Sequence, residues 1–489
     1  MSKYTWVVST AIAVCVAMSA YVLHLYSKEK PELLVGVCIL SARDHQKERN
    51  TIRNTWLKAD MGSSLEDRKI RIHVKFVVGM EPCLIPPADR LSTFECKEWI
   101  PDISADLTKD FEAFSVMEDF VTGPKVHVLN IKALHQVTLK RIGILADITL
   151  KEEPLNVSLY DDLTEQELGE VIFSLKDPGI IHKGYRYQPI QPLQVDVGRE
   201  VELSMDIRSD DKHPFFLGGM ALTPDSDTTR HNVHRVQGPA TVLVEGLRDD
   251  RTLIRTDNTT SLFSLLSFMY AVDDVESLKE HTEGREQRRA LWLREQARER
   301  SALNKELEEL DDFLLVQGVD VYRSLPSKVL QCHKWFADNF EARHILKTDD
   351  DTFVNVKGIV DRLSTRPLQG HEWWANFRHG SVHRAGKWRE PDYSPAVYPN
   401  FPCGSGYVVS RDLHLWLVAN KDVLHSFQGE DVSMGIWLTP LAPTLIHDTR
   451  WQCYKICQDD MLSMPDLTPE EVTLRWRQYT KCSSPCTAC

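Results

Sequence analysis

Three consecutive carboxylates, Asp349, Asp350 and Asp351, close the apolar run in HILKTDDDTFVN, residues 344–355. Adjacent like charges repel, and burial raises carboxyl pKa values unless something positive lies between them. Such a triplet is either a solvated turn or a holder of a cation. If the strand runs on through it, Asp349 and Asp351 face one side and Asp350 the other. Two carboxylates at a strand end are a half-site for a hard divalent ion, leaving positions for phosphate oxygens and water. Mg²⁺ or Mn²⁺ is commonly held with a nucleotide in this way. The EF-hand glycine and distant glutamate are missing, and Phe353 stands where a D-x-D-x-T phosphatase motif needs Thr.

Other stretches could contribute chemistry. Glu430 and Asp431 in SFQGEDVSMG sit at an expected loop-to-helix junction, where an acid serves either as a helix cap or as a general base. Gly404 and Gly406 in CGSGY mark either a tight turn or a close backbone approach to a ligand. Trp373, Trp374 and Trp388 could stack on sugar faces or fill a core. Arg43, Arg49 and Arg53 follow an apolar strand, where they serve either a diphosphate or a helix surface.

These residues need elements to place them. LLVGVCILSA and VKFVVG read as buried parallel strands around a basic helix, a βαβ start without a glycine fingerprint or P-loop. Short alternating strands separated by Gly, Pro and Asp then predict a β-sandwich-like insert. A charged stretch over 274–310 predicts a solvated amphipathic helix or hairpin, and α/β texture then resumes. The expected layout is a tail (1–5), a transmembrane signal-anchor (6–26), a short stem (27–32) and a first α/β half (33–129). A β-rich module (130–255), a helical connector (256–310) and a second α/β half (311–489) follow.

The span rests on an uninterrupted apolar run over 6–26, close to the ~20 residues that cross a bilayer. A single-pass type II protein with its bulk in the lumen of the endoplasmic reticulum or Golgi is expected. The 11 cysteines suit that oxidising compartment. C-x3-C followed by C-x3-C-x2-C at the C-terminus leaves zinc open, with disulfides preferred. The sequons at Asn156 and Asn258 fit the same placement. A net charge of -13 argues against nucleic acid as a partner.

ILSARDHQKERNTIRNTW, VKFVVG, DVYRSLPSKVLQ, ILKTDDDTFVN, WWANF, YPNFPCGSGYVVSRD and GEDVSMGIWL occur in one order along both α/β halves. Together they resemble the inverting β-1,3-glycosyltransferases (glycosyltransferase family 31), which include β-1,3-galactosyltransferases and fringe enzymes. The resemblance implies an α/β GT-A fold, a Rossmann-like nucleotide-sugar domain here interrupted by the insert. It assigns the D-x-D metal motif to Asp351 and Asp349, for Mn²⁺ or Mg²⁺, with His447 as a third ligand. Asp431 of the E-D-V motif would be the base, beside Glu430. Arg43, Arg53, Lys347, Asp350, Gly404, Gly406 and Tyr407 would serve the nucleotide-sugar. The subgroup with a long insert transfers GalNAc from UDP-GalNAc to β-linked GlcNAc on O-mannosyl glycans such as those of α-dystroglycan. UDP-Gal or UDP-GlcNAc as donor, a silent lectin-like scaffold, and a metal-dependent phosphodiesterase are the alternatives.

Overall fold

A computed structural model describes residues 33–58, 70–117, 125–146, 148–161, 164, 166–207, 236–237, 241–247, 262–383, 387–390 and 392–487. The span expected over 6–26 and the sequon at Asn258 lie outside these residues. Among the described residues no helix is long and apolar enough to cross a membrane.

The α/β part is built on a seven-stranded mixed sheet. Its strands in chain order are β1 (Leu33–Leu40), β2 (Ile70–Glu81), β3 (Phe313–Val319), β4 (His344–Asp349), β5 (Glu372–Arg378), β6 (Phe401–Ser410) and β7 (Thr444–His447). They lie in the order 3-2-1-4-6-5-7. β3, β2, β1 and β4 run parallel, and β6 is antiparallel to both β4 and β5. LLVGVCIL is apolar on both faces because both faces are covered. Val35, Val37 and Ile39 pack with Ile52, Trp56, Leu346 and Trp374. Cys38 and Leu40 pack on the other side with Phe336, Ile345, Tyr407, Leu413 and Met434. This is the period-2 alternation of a strand buried on both faces.

The helices around the sheet are α1 (Gln46–Asn54), α2 (Arg285–Glu309), α3 (Leu325–Asn339), α4 (Val356–Thr365), α5 (Arg411–Asn420), α6 (Glu430–Leu438) and α7 (Pro469–Cys482). A shorter helix, Val275–Glu283, precedes α2.

The inserted module is two antiparallel sheets, of five and six strands, closed over their own core. Leu129, Ile131, Leu139, Ile142, Leu203 and Phe268 belong to it. The module is wider than the expected 130–255. Strands Phe111–Met117 and Leu262–Val272, assigned by sequence to the first half and to the connector, pair with each other in the six-stranded sheet. The chain therefore enters and leaves the module on neighbouring strands, as an insertion requires.

The cysteines among the described residues are disulfide-bonded. Cys38–Cys332, Cys83–Cys96, Cys403–Cys453 and Cys457–Cys486 are paired, and Cys482 is also in a disulfide. Cys38–Cys332 ties β1 to α3 across 294 residues of chain. Its double replacement, Cys38→Ala with Cys332→Ala, is expected to cost roughly 2–5 kcal/mol, read as a lower denaturation midpoint at unchanged m-value.

Candidate active site

β1 and β4 pair in parallel with Leu40 opposite Asp349, so the acidic triplet lies beside the loop leaving β1. Strand order reverses at this pair, with β2 on one side and β6 on the other. In open α/β sheets that is where a crevice forms at the carboxyl ends of the strands.

Lys347 organises the crevice. It alternates with Leu346 on β4, so it points to the α6 side of the sheet, and it is completely buried. Its ammonium donates to Asp349 Oδ2 and the Gly404 carbonyl, each at 2.9 Å, and to Glu430 Oε1. Burial works against that charge, but Asp349 and Glu430 outweigh it and raise the lysine pKa. Burial pushes the Asp349 carboxyl well above its usual range, and Lys347 opposes the shift while Glu430 and Asp351 add to it.

β4 ends at Asp349, which separates the triplet more than a continuing strand would. Asp350 turns to the opposite side and accepts from His45 Nδ1 at 2.9 Å. That hydrogen bond, working against burial, lifts the His45 pKa to about 9. Asp351 lies in the turn beyond. Its pKa is raised by burial and then by Asp350 and Asp466, and its one side-chain partner is the Thr352 hydroxyl at 3.3 Å. A half-buried carboxylate among other carboxylates, with only a long hydroxyl contact, suits a cation.

Glu430 and Asp431 open α6 in its first turn, after Gly429. Asp431 Oδ1 accepts from the Val432 N–H at 2.8 Å, and Arg378 Nη2 lies 3.6 Å from Oδ2. Burial and then Glu430 push the Asp431 pKa up to about 6, against the pull of the Val432 N–H, Arg378 and Lys347. Gly429 keeps this acid in place, because a Cβ there would come within 2.9 Å of Asp431 Oδ1. A carboxylate of near-neutral pKa that still reaches solvent can take up a proton at physiological pH. As base it must be ionised, so kcat/KM is expected to rise with pH through about 6 and to fall below it. Arg378→Gln removes a nearby positive charge, so that limb should move to higher pH.

Several expected residues lie elsewhere. Arg43 is buried, bonded to Glu299 at 2.5 Å and to the Gly79 and Met80 carbonyls. Arg53 pairs with Glu306 and Asp312, and Arg49 with Glu306. These arginines bind α2 to α1 and the β1 loop, because Glu299 and Glu306, two turns apart, lie on one helix face. They therefore do not reach the nucleotide side with free guanidiniums, and α2 docks through this buried ion-pair face where a solvated helix was expected. Gly406 makes room for protein: a Cβ would meet the Trp451 ring at 2.8 Å. Tyr407 is fully buried, its ring edge-on to Trp373 at 5.8 Å, beneath the crevice. His447 is exposed on β7 and its Nδ1 accepts from the Phe377 N–H. Among the described residues no three His, Cys, Asp or Glu side chains converge as metal ligands.

Reading the sequence missed His45, Arg378 and Tyr322. Tyr322 in DVYRSLP lies near Asp431, since a Cβ on Gly429 would be 4.0 Å from its hydroxyl. Lys387 lies over both the Tyr322 and Trp388 rings, at 4.9 and 5.9 Å. Trp373 and Trp374 are core, whereas Trp388 is 51% exposed. No spacing rule links Arg378 or Tyr322 to Asp431, which are brought in by β5 and by the turn before α3.

The chain is similar to known glycosyltransferases. The galactosyltransferase family profile matches residues 294–448, which include the triplet and Asp431. UDP-GalNAc:β-1,3-N-acetylgalactosaminyltransferase 2 of Xenopus tropicalis is 32% identical over 473 residues, 94% of this chain and 92% of the relative. The Homo sapiens protein of the same name is 31% identical, over 93% of this chain and 89% of its own length. Mouse β-1,3-galactosyltransferase 6 is 33% identical over 182 residues, 36% of this chain and 56% of its own. The long matches run through the inserted module as well as the catalytic halves, and on that ground the chain belongs to the galactosyltransferase family of β-1,3-glycosyltransferases.

Proposed function

We propose that this chain transfers N-acetylgalactosamine from UDP-GalNAc in β-1,3 linkage, with inversion. The observation that carries the reading is Asp431, with its pKa raised to about 6, joined through Glu430 and Lys347 to the acidic triplet. The acceptor's 3-hydroxyl oxygen forms a bond to the anomeric carbon as its proton passes to Asp431. The bond from that carbon to the UDP oxygen breaks, and UDP leaves with the electron pair. One displacement on an α-linked donor gives a β product. Asp351, with Asp349 beside it, would hold Mn²⁺ or Mg²⁺, which supplies Lewis-acid neutralisation of charge on the departing diphosphate. Lys347 keeps Glu430 and Asp349 fixed and balanced, and burial around Asp431 limits competing water.

UDP-GalNAc as donor follows the names of the long-matching relatives. The acceptor is a β-linked GlcNAc on an O-mannosyl glycan of the α-dystroglycan type, following the resemblance of the inserted layout. The apolar run over 6–26 and the paired cysteines support a single-pass type II protein of the endoplasmic reticulum or Golgi. Asn156 is exposed and would carry a glycan there. NMR of the product tests the reaction: a β-anomeric GalNAc on O3 is expected, and an α-linkage or hydrolysed GalNAc alone would overturn it.

Trp388 is the exposed aromatic beside the crevice and suits an acceptor sugar face. Trp388→Ala is expected to raise the acceptor KM about 2–10-fold, with the donor KM unchanged, in steady-state transfer assays.

A further inference from the structure

The chain between β5 and β6 folds back on itself as a hairpin. The Val382 N–H donates to the Ala396 carbonyl at 2.8 Å, and the Tyr398 N–H to the Gly380 carbonyl at 3.0 Å. Lys387 and Trp388 are exposed on it, with the Lys387 ammonium 4.9 Å from the centre of the Tyr322 ring. Glu390, two residues after Trp388, is only 1% exposed.

A buried carboxylate on a polar loop needs a physical reason. Glu390 Oε1 accepts from the Asp392 N–H at 2.6 Å and the Tyr393 N–H at 3.2 Å, within its own turn. Glu390 Oε2 accepts from the Gln428 N–H at 2.6 Å. Gln428 lies three residues before Asp431, next to the Gly429 that leaves room for that acid. One side chain thus joins the hairpin bearing Trp388 to the segment bearing Asp431.

The residue type fits a bridge better than a simple turn. Asp side chains, one methylene shorter, commonly bond N–H groups two or three residues on. Asp102 and Asp161 do so in this chain, to Ser104 and Thr164. The longer Glu390 carries its second oxygen across to Gln428 as well. Other contacts between the two segments are less directional. They include the exposed His425–Asp392 pair at 3.3 Å and Tyr393 edge-on to Phe427 at 5.5 Å. Ring contacts tolerate small shifts that a short hydrogen bond to a carboxylate resists. The Ser433 hydroxyl donates to the Gly429 carbonyl and accepts from the Phe427 N–H, which holds the segment to its own helix and not to the hairpin.

We infer that Glu390 is a positioning residue for transfer, holding Trp388 and the acceptor sugar stacked on it at the distance from Asp431 that the 3-hydroxyl requires. This role rests on the function proposed above, with Asp431 as base and Trp388 under the acceptor. Misplacing reacting groups by about 1 Å can cost about 10²-fold in rate.

Steady-state transfer from UDP-GalNAc to a β-GlcNAc-terminated acceptor by the full chain tests the inference, beside calorimetry with UDP and Mn²⁺. Glu390→Asp keeps the bonds within the turn and gives up the reach to Gln428. It is expected to lower kcat about 10–100-fold and to raise the acceptor KM, with UDP affinity as in the parent protein. The acidic limb near pH 6 should remain, because Asp431 still titrates. Adding Trp388→Ala should then change the acceptor KM by less than about twofold, since the two effects share one cause. Amide hydrogen exchange at Gln428 should quicken. Glu390→Gln offers one acceptor oxygen to the two sides and is read in the same way if Glu390→Asp folds poorly. Parental kcat and acceptor KM in both variants, an undiminished effect of Trp388→Ala, or UDP affinity lost in step with activity would overturn the role. Failure of both variants to fold would overturn it too, leaving Glu390 a residue of the core. A parent protein without acceptor-dependent transfer would refute the proposed function itself, and this role with it.

Discussion

Asp431→Asn is expected to lower the transfer rate by about 10²–10⁴-fold, the range a positioned general base supplies. The amide keeps the carboxylate's shape, and its oxygen can still accept from the Val432 N–H that holds Asp431 at 2.8 Å. It cannot take a proton. The loss should therefore fall on kcat, with UDP affinity intact, because the triplet proposed to face the diphosphate lies at the end of β4 and in the turn after it, not on α6. The residual rate should also lose its acidic limb near pH 6, since the titrating group is gone. Loss of UDP binding in this variant would assign Asp431 to structure or metal instead.

Lys347→Met is the second large effect. The methionine fills similar volume but leaves Asp349 and Glu430 facing each other without their shared cation. Removing one partner from a buried ion pair typically costs about 3–5 kcal/mol, because the remaining charge has lost its compensation. Asp349, already pushed up by burial and now without Lys347 to oppose it, should then take up a proton on folding, so the variant is destabilised most at high pH and recovers as pH falls. Activity should be lost together with stability. Lys347→Met with Glu430→Gln is expected to recover part of the stability and none of the activity, since Asp349 beside the donor remains uncompensated. Chemical denaturation of the three proteins at pH 5 and pH 8 reads this directly.

The parts of this site that were legible in sequence are those whose residues are contiguous. HILKTDDD and QGEDV each carry their chemistry within a few positions, and the apolar strand before the first predicted a crevice at its end. What stayed hidden depended on distant partners. Arg43 and Arg53 looked free because Glu299, Glu306 and Asp312 lie over 250 residues away on the far side of the insert. Gly406 suggested a ligand, but the approach it permits is by Trp451, from beyond β7. His447 had the right residue type, yet β7 is the outer strand of the sheet, three positions from β4. The edges of the insert were misplaced for a different reason. FEAFSVM and LFSLLSFMYAV are short apolar runs that helix and strand periodicity share, and only their mutual pairing assigns them to the sandwich.

The central claim is acceptor-dependent transfer from UDP-GalNAc at this crevice. The most direct measurement follows UDP release by the full chain from UDP-GalNAc, UDP-Gal and UDP-GlcNAc on a β-GlcNAc-terminated acceptor, with Mn²⁺ and with EDTA. Release from UDP-GalNAc that requires both acceptor and metal, and disappears in Asp431→Asn, is the predicted result. Acceptor binding without release from any donor would contradict it and leave a lectin-like protein in its place.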